Sequence, residues 1–462
     1  MTALLVDRLR SELGPAAVLT DSDVTGSYAR DMMPLAEHGA PLAVVLPTDT
    51  ERVQATVRAC ATAGVPIVPR GAGSGLTGAA NAIDGCVVLV TTKLNEILEI
   101  DPANRLAVVQ PGVVNLDFRD AVAKHGLFYP PDPSSYDWCT IGGNLATNAG
   151  GLCCVKYGVT TDAVLGLKVV LADGSLLKTG RRTVKGVAGY DLTKLFIGSE
   201  GTLGVITEAT VNLRPLPQAP GTLVAGFTST SAAGEAVARV VREGLVPSLM
   251  EIMDAASIKA AEEYLKTDIG AGSGCAALLL CQSDSGGEVA RRELTAIEQI
   301  CVDCGADMTY ATDDLAEGNM LLQARRVVLT ALELYGTWLT DDVSVPRTRI
   351  AELITGCARI SEEVGLRVAV VGHAGDGNMH PTIVYDPTSA DEFARARRAF
   401  EDILAIGLSL GGTVTGEHGI GKIKREWLER EIGPVGMRVH RQIKAALDPD
   451  NLFNPGSMFA MP

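Results

Sequence analysis

Three glycine-rich tracts in the first half of the chain limit what it can become: Arg70-Gly-Ala-Gly-Ser-Gly-Leu-Thr-Gly78, Thr140-Ile-Gly-Gly-Asn-Leu-Ala-Thr-Asn-Ala-Gly-Gly151 and Gly198-Ser-Glu-Gly-Thr-Leu-Gly-Val-Ile-Thr207. Glycine weakens helix and strand interiors and lets a backbone turn sharply or approach a ligand closely, so such tracts read as loops around something. The first contains a formal G-x-G-x-x-G at Gly73, Gly75 and Gly78. A dinucleotide-binding turn must open a helix whose N-terminus meets the pyrophosphate, and here Asn81 and Asp84-Gly85 interrupt the chain before a helix develops. A loop of exposed amides fits better, either merely flexible or an anion-binding nest with Arg70 as a nearby positive charge. The second tract follows Pro130-Pro-Asp-Pro-Ser-Ser135, a rigid, turn-rich segment. Three such tracts in one domain point to a large, extended cofactor.

Around them the patterning is mixed α/β. Leu42 to Leu46 is a strand between prolines, Thr48-Asp49 supplies helix N-cap chemistry for Glu51 to Ala63, Gly64 ends that helix, and Val65 to Val68 begins the next strand. Further strands are expected at 86–91, 106–110, 165–171 and 204–213, with a short helix at 117–125. Pro215, Pro217 and Pro220 mark a boundary. The reading is an α+β protein with a first domain over 1–218 and a second over 219–462. The second has strands at 248–253 and 275–281, a helix beginning near Asp313, and helical patterning over 391–410 and 423–446.

Three of the six histidines fall in two short segments, His373-Ala-Gly-Asp-Gly-Asn-Met-His380 and Gly416-Glu417-His418-Gly419. Asp376-Gly377 between apolar runs predicts a two-residue hairpin turn. That register would place His373 directly opposite His380, with Cβ atoms about 5 Å apart, a spacing suited to two imidazoles on one ion. A histidine in a strand is more often a satisfied structural residue. Glu417 and His418 change the balance: in an extended segment they point to opposite sides, one toward an ion and the other toward a substrate. Imidazole and carboxylate together suit a borderline divalent ion with an open position.

The remaining composition excludes several classes. A formal net charge of −15 and no basic cluster argue against nucleic acid. Residues 1–13 read as an ordinary amphipathic helix, since Asp7, Arg8, Arg10 and Glu12 interrupt any signal-peptide core. No apolar run approaches the roughly 18–20 residues that span a bilayer. The expected location is cytoplasmic, with peripheral attachment to a membrane through a partner left open. Of the ten cysteines only Cys301-Val-Asp-Cys304 has a suggestive spacing, and a single pair is weak evidence for a metal or redox site.

Taken together, the three glycine tracts and the two histidine motifs resemble the FAD-linked oxidase and dehydrogenase family, which shares its flavin-binding fold with vanillyl-alcohol oxidase. Within it the chain is most similar to D-lactate dehydrogenases and the glycolate oxidase flavin subunit, then to D-2-hydroxyglutarate dehydrogenases. The resemblance implies a PCMH-type FAD-binding domain and an α+β substrate domain with an antiparallel sheet, residues 447–462 returning to the first domain. It implies FAD contacts from Arg70, Gly71, Ala72, Gly73, Ser74, Gly75 and Gly78, from Pro131 and Asp132, and from Thr140, Gly142, Gly143, Asn144, Thr147 and Asn148. Gly204, Ile206 and Asn454 complete the set. Ser74 stands where some relatives attach flavin through histidine, so the FAD is expected to be noncovalent.

By the same resemblance His373, His380 and Glu417 would hold zinc or manganese, His418 would be the base, and Arg326 with Thr330 would grip the substrate carboxylate, Arg325 being a competing match. The implied reaction takes a D-2-hydroxy acid to the 2-oxo acid. D-2-hydroxyglutarate enzymes carry a lysine where this chain has Thr340-Asp341, and asparagine where it has Thr382. Both departures favour a monocarboxylate such as D-lactate, glycolate or a longer apolar D-2-hydroxy acid. The electron acceptor stays open among a quinone, a cytochrome, an electron-transfer flavoprotein and an iron-sulfur subunit, and a homodimer is allowed. A D-2-hydroxyglutarate dehydrogenase, a non-redox enzyme of the ether-lipid synthase type and a catalytically silent flavin subunit are the alternatives.

Overall fold

The computed structural model describes residues 2–266, 269 and 274–460. The chain divides into two compact units, one of residues 1–151, 158–216 and 417–462, the other of 152–157 and 217–416. The cut after Leu216 falls in the proline-dense stretch, and the segment that returns to the first unit is longer than 447–462, beginning at Glu417.

The first unit is built on two sheets. The smaller has the order Val18–Leu19, Ala43–Val45, Val87–Val90, Ile67–Arg70. The last three pair in parallel and are joined by the predicted βαβ start. Asp49 caps the helix Thr50–Ala63 by accepting the Arg52 N–H, and Gly64 ends it at φ 64°. Val53, Val57 and Cys60 on one stripe of that helix pack with Val45, Ile67 and Val87 in a common core. The larger sheet has the antiparallel order Ile97–Asp101, Leu106–Val109, Val205–Asn212, Val164–Val170, Leu176–Gly180. Val205–Asn212 alternates buried and half-buried residues along its length, as a strand with one apolar face should. The C-terminal segment extends the smaller sheet: Ile67 donates to the Leu452 carbonyl and accepts from the Asn454 N–H.

The second unit carries an eight-stranded antiparallel sheet, in the order Met308–Thr312, Gly221–Phe227, Ala277–Ser283, Leu249–Asp254, Arg367–His373, Asn378–Tyr385, Thr337–Thr340, with Val343–Ser344 also on Asn378–Tyr385. One face holds Leu249, Met253, Ala369, Val371 and Val384, packed with Ile258 and Ala261 from the helix Ala255–Leu265 and with Leu322, Ala324, Val328 and Ala331 from Leu315–Arg326 and Val328–Leu332. Among the described residues no helix is long and apolar enough to cross a membrane, and Cys301 and Cys304 are not joined in a disulfide.

Candidate active site

In the first unit the three glycine tracts converge. Arg70 ends its strand and the next residues run as an irregular loop with no helix following. Among the described residues, no hydrogen bond has the N–H of any residue from Ala72 to Thr77 as its donor. These successive open amides suit a pyrophosphate. Arg70 is buried inside the loop: a Cβ on Gly73, at φ +87°, would lie 2.0 Å from the guanidinium. Burial lowers the Arg70 pKa, with Asp31 opposing the shift. Gly71 lies against the second tract, where its Cβ would meet Thr140 Oγ1 at 2.5 Å. Thr140 caps the short helix Ile141–Thr147, and the Leu145 and Ala146 carbonyls of that helix accept the N–H groups of Gly198 and Glu200 in the third tract. Open amides beside a cradle that side chains would fill fit an extended FAD.

Some expected FAD-facing side chains are committed to protein. Asn144 bonds Asn115 and Cys139, and Asn454 donates to the carbonyls of Ala79 and Glu200. Pro131 accepts from Asn115, and Gly151 packs on Asp132. Thr147 donates to the Gly143 carbonyl, Asn148 accepts the Thr161 N–H, and a Cβ on Gly142 would strike Pro111. Gly204 is packed against Val169, while Ile206 is half-buried one step along the strand.

Glu200, unremarked in the sequence, organises the returning segment. Its two carboxylate oxygens accept the successive N–H groups of Ile420 and Gly421, each at 2.7 Å, and Ser457 Oγ donates as well. This bonding fixes the backbone immediately after Glu417 and His418. Burial is the main cause that pushes the Glu200 carboxyl up to about 7, against the lowering effect of those three donors.

In the second unit the hairpin differs from expectation. His373 pairs with Asn378, and His380 with Val371. The loop is four residues, closed by the Gly377 N–H on the His373 carbonyl at 2.9 Å. A two-residue type I′ turn needs positive φ at both positions, and only Gly377, at φ 88°, has it. Residues diagonal across a strand pair still share a face, and the two imidazole centroids lie 5.0 Å apart, edge to face. Both rings are buried.

This is the same sheet face that carries the apolar core, and at this end it turns polar. Glu251 is directly opposite His373 on the neighbouring strand, and its carboxylate meets His373 Nδ1 at 2.6 Å and Arg325 Nε at 2.8 Å. Thr382 donates to Thr340 on the other side. Arg325 is thereby turned into the sheet, whereas Arg326 and Thr330 are exposed, one helical turn apart. Asp342 is fully buried, accepts Thr415 Oγ1 and the Gly416 N–H, and lies 3.8 Å from His380 Nδ1. The buried Asp341 accepts the Asp342 N–H.

The next residue in the chain after Gly416 is Glu417. Ligand atoms of His373, His380 and Glu417 fall within 4.8 Å of one another, as do those of Asp342, His380 and His418. Two imidazoles and a carboxylate at that separation fit one divalent ion with room for a further ligand. His418 Nε2 is 3.8 Å from the Glu417 carboxylate, and both side chains are partly exposed.

Of the residues singled out in the sequence, the structure gathers His373, His380, Glu417 and His418. Glu251, Glu200 and the buried Asp342 were missed. The available signal was an acid within an apolar strand, as in Leu249-Met-Glu-Ile-Met253, where a buried charge must have partners.

Two family models match: "FAD binding domain" over residues 41–180 and "FAD linked oxidases, C-terminal domain" over 216–458. Among curated relatives, the chain is 42% identical to glycolate oxidase subunit GlcD of Bacillus subtilis, covering 94% of this chain and 92% of that one. It is 34% identical to a D-lactate dehydrogenase of Anaerostipes hadrus, covering 99% and 98%. Among solved structures, p-cresol methylhydroxylase superposes with a TM-score of 0.82 at 21% identity, over 99% of this chain and 97% of that one, a likeness of fold.

Proposed function

Because the chain belongs to the FAD-linked oxidases and is an FAD-dependent oxidoreductase of hydroxy acids, we propose that it oxidises a D-2-hydroxy monocarboxylate, such as D-lactate or glycolate, to the 2-oxo acid with the help of a divalent ion. The observation that carries this reading is the closeness of His373, His380 and Glu417, with His418 next in the chain. The names of the relatives support the substrate class.

When bound, FAD would accept hydride from the substrate Cα, and zinc or manganese would act as Lewis acid toward the α-hydroxyl oxygen. The protein's part is to hold, orient and move a proton. His373, His380 and Glu417 would hold the ion. His418 takes the hydroxyl proton onto its imidazole, and the Glu200 carboxylate keeps the backbone that follows it in place. Arg326, with Thr330 a turn away, grips the substrate carboxylate, since Arg325 is already engaged by Glu251. The buried Asp341, and Thr382 bonded to Thr340, offer no cation for a second, distal carboxylate. A separate acceptor, a protein or a quinone, would take the electrons that bound FAD receives from the substrate.

The test is anaerobic mixing of the flavoprotein with D- and L-2-hydroxy acids while flavin absorbance is followed, with and without chelator. D-monocarboxylates should bleach the flavin, chelator should suppress the bleaching, and His418→Ala should abolish it with FAD retained. Bleaching by L-acids alone, or indifference to chelator, would overturn the proposal.

A further inference from the structure

The Glu251 carboxylate lies at the centre of a three-residue chain, Arg325–Glu251–His373, and it is fully buried in a strand whose neighbours Met250 and Ile252 are apolar. An uncompensated carboxylate there would be strongly destabilising. A purely structural Glu–Arg pair would be expected to match fork to fork, both oxygens on one guanidinium. Here the oxygens are divided: Oε2 accepts Arg325 Nε at 2.8 Å, and Oε1 meets His373 Nδ1 at 2.6 Å. Strand register produces the division, because Glu251 and His373 are directly paired, and Arg325 comes down from the last turn of the helix Leu315–Arg326.

We propose that Glu251, anchored by Arg325, is the positioning residue that makes His373 a metal ligand. This rests on the metal reading given above. The carboxylate accepts the proton on Nδ1, which selects the tautomer whose Nε2 lone pair is available to an ion, and it fixes the rotation of the ring about its χ2 bond. Arg325 holds the carboxylate plane and satisfies the second oxygen. The covering helix is itself seated by Leu322 and Ala324 in the core, so the apolar packing of this face and the aim of His373 are mechanically one unit. Outer partners of this kind typically contribute about 10- to 100-fold to metal affinity.

Glu251→Gln is the informative variant, because it nearly preserves volume and cannot satisfy both neighbours. With its carbonyl toward His373, its amide NH2 opposes the Arg325 N–H. Flipped, its NH2 demands the Nδ1 lone pair and forces the proton onto Nε2, where it blocks an ion. Zinc and manganese affinities of the flavin-loaded protein are measured by competition with a chromophoric chelator, alongside bound metal by elemental analysis and flavin content by absorbance. Glu251→Gln should weaken metal binding about 10- to 100-fold with FAD content unchanged, and excess zinc or manganese should restore much of the lost turnover. Glu251→Asp, which keeps the charge but withdraws it by one methylene, should fall between wild type and Gln, and it carries the test if the Gln variant does not fold. Wild-type affinity in both variants, with metal bound, would overturn the role of Glu251 and leave the metal site standing. A wild-type protein that binds neither ion would instead overturn the metal reading on which the proposal rests.

Discussion

The Glu200 carboxyl should make the stability of this protein fall as pH rises through neutrality, and replacing it with glutamine should remove that dependence. Burial raises its pKa from the ordinary 4.5 to about 7, so the folded state binds this proton more tightly than the unfolded chain does. The stabilisation is therefore fully present below pH 4.5 and is lost as pH rises through 7. With those two values, a single linked site contributes about 2.5 kcal/mol at pH 5 and close to zero at pH 8. Glu200→Gln is neutral throughout. It disturbs the contact with Ile420 and Gly421 by an amount that does not change with pH, so that cost cancels in a difference of differences. Urea unfolding of wild type and variant at pH 5 and pH 8 gives four free energies. Relative to the variant, wild type should lose about 2.5 kcal/mol between the two pH values. Equal pH dependence in the two proteins, or a wild type that gains on the variant as pH rises, would show that the buried carboxyl is not held in the protonated form.

Two further perturbations address the second unit. Gly377→Ala places a side chain at φ +88° and 2.2 Å from the Val345 carbonyl oxygen. It should cost at least about 2 kcal/mol, the upper end for a left-handed L-residue, and should lower bound zinc or manganese by displacing the His373–His380 hairpin; an unchanged urea midpoint and metal content would contradict this. Arg326→Met should raise KM for the hydroxy acid about tenfold or more, the scale of a charge-assisted hydrogen bond, with metal content unaffected. Steady-state kinetics in which KM stays at the wild-type value would remove Arg326 from carboxylate binding.

Local chemistry made much of the fold legible. The Asp49 cap, the Gly64 stop and the apolar stripe between them mark the helix Thr50–Ala63, and the failure of any helix to follow Gly78 could be read from Asn81 and Asp84-Gly85. The hairpin register was not legible, because Asp-Gly is compatible with more than one loop length, and one of the bonds that holds the loop, Val345 N–H on the Gly377 carbonyl, comes from a segment about thirty residues away. Which of two adjacent arginines turns inward was equally hidden. Helical phase separates Arg325 from Arg326 by about 100°, but only the position of Glu251 on the sheet decides that Arg325 is the buried one. Glu200 and Glu251 share this trait: their partners lie far away in sequence, so no window of local pattern contains the interaction.

The parallel bridge between Ile67 and Phe453 bears on the order in which the molecule can form. The strand Ile67–Arg70 leaves the ribosome before the second unit, yet the segment that covers its outer edge is made only after that unit. Synthesis runs from the N-terminus, and closing a long loop is entropically unfavourable until native contacts reward it. The first unit therefore carries an open sheet edge, and a Glu200 without its amide partners, throughout translation of the second unit. The second unit, most of which is one uninterrupted stretch, has no such wait. The cofactor-binding unit is begun before the second unit and can be finished only after it.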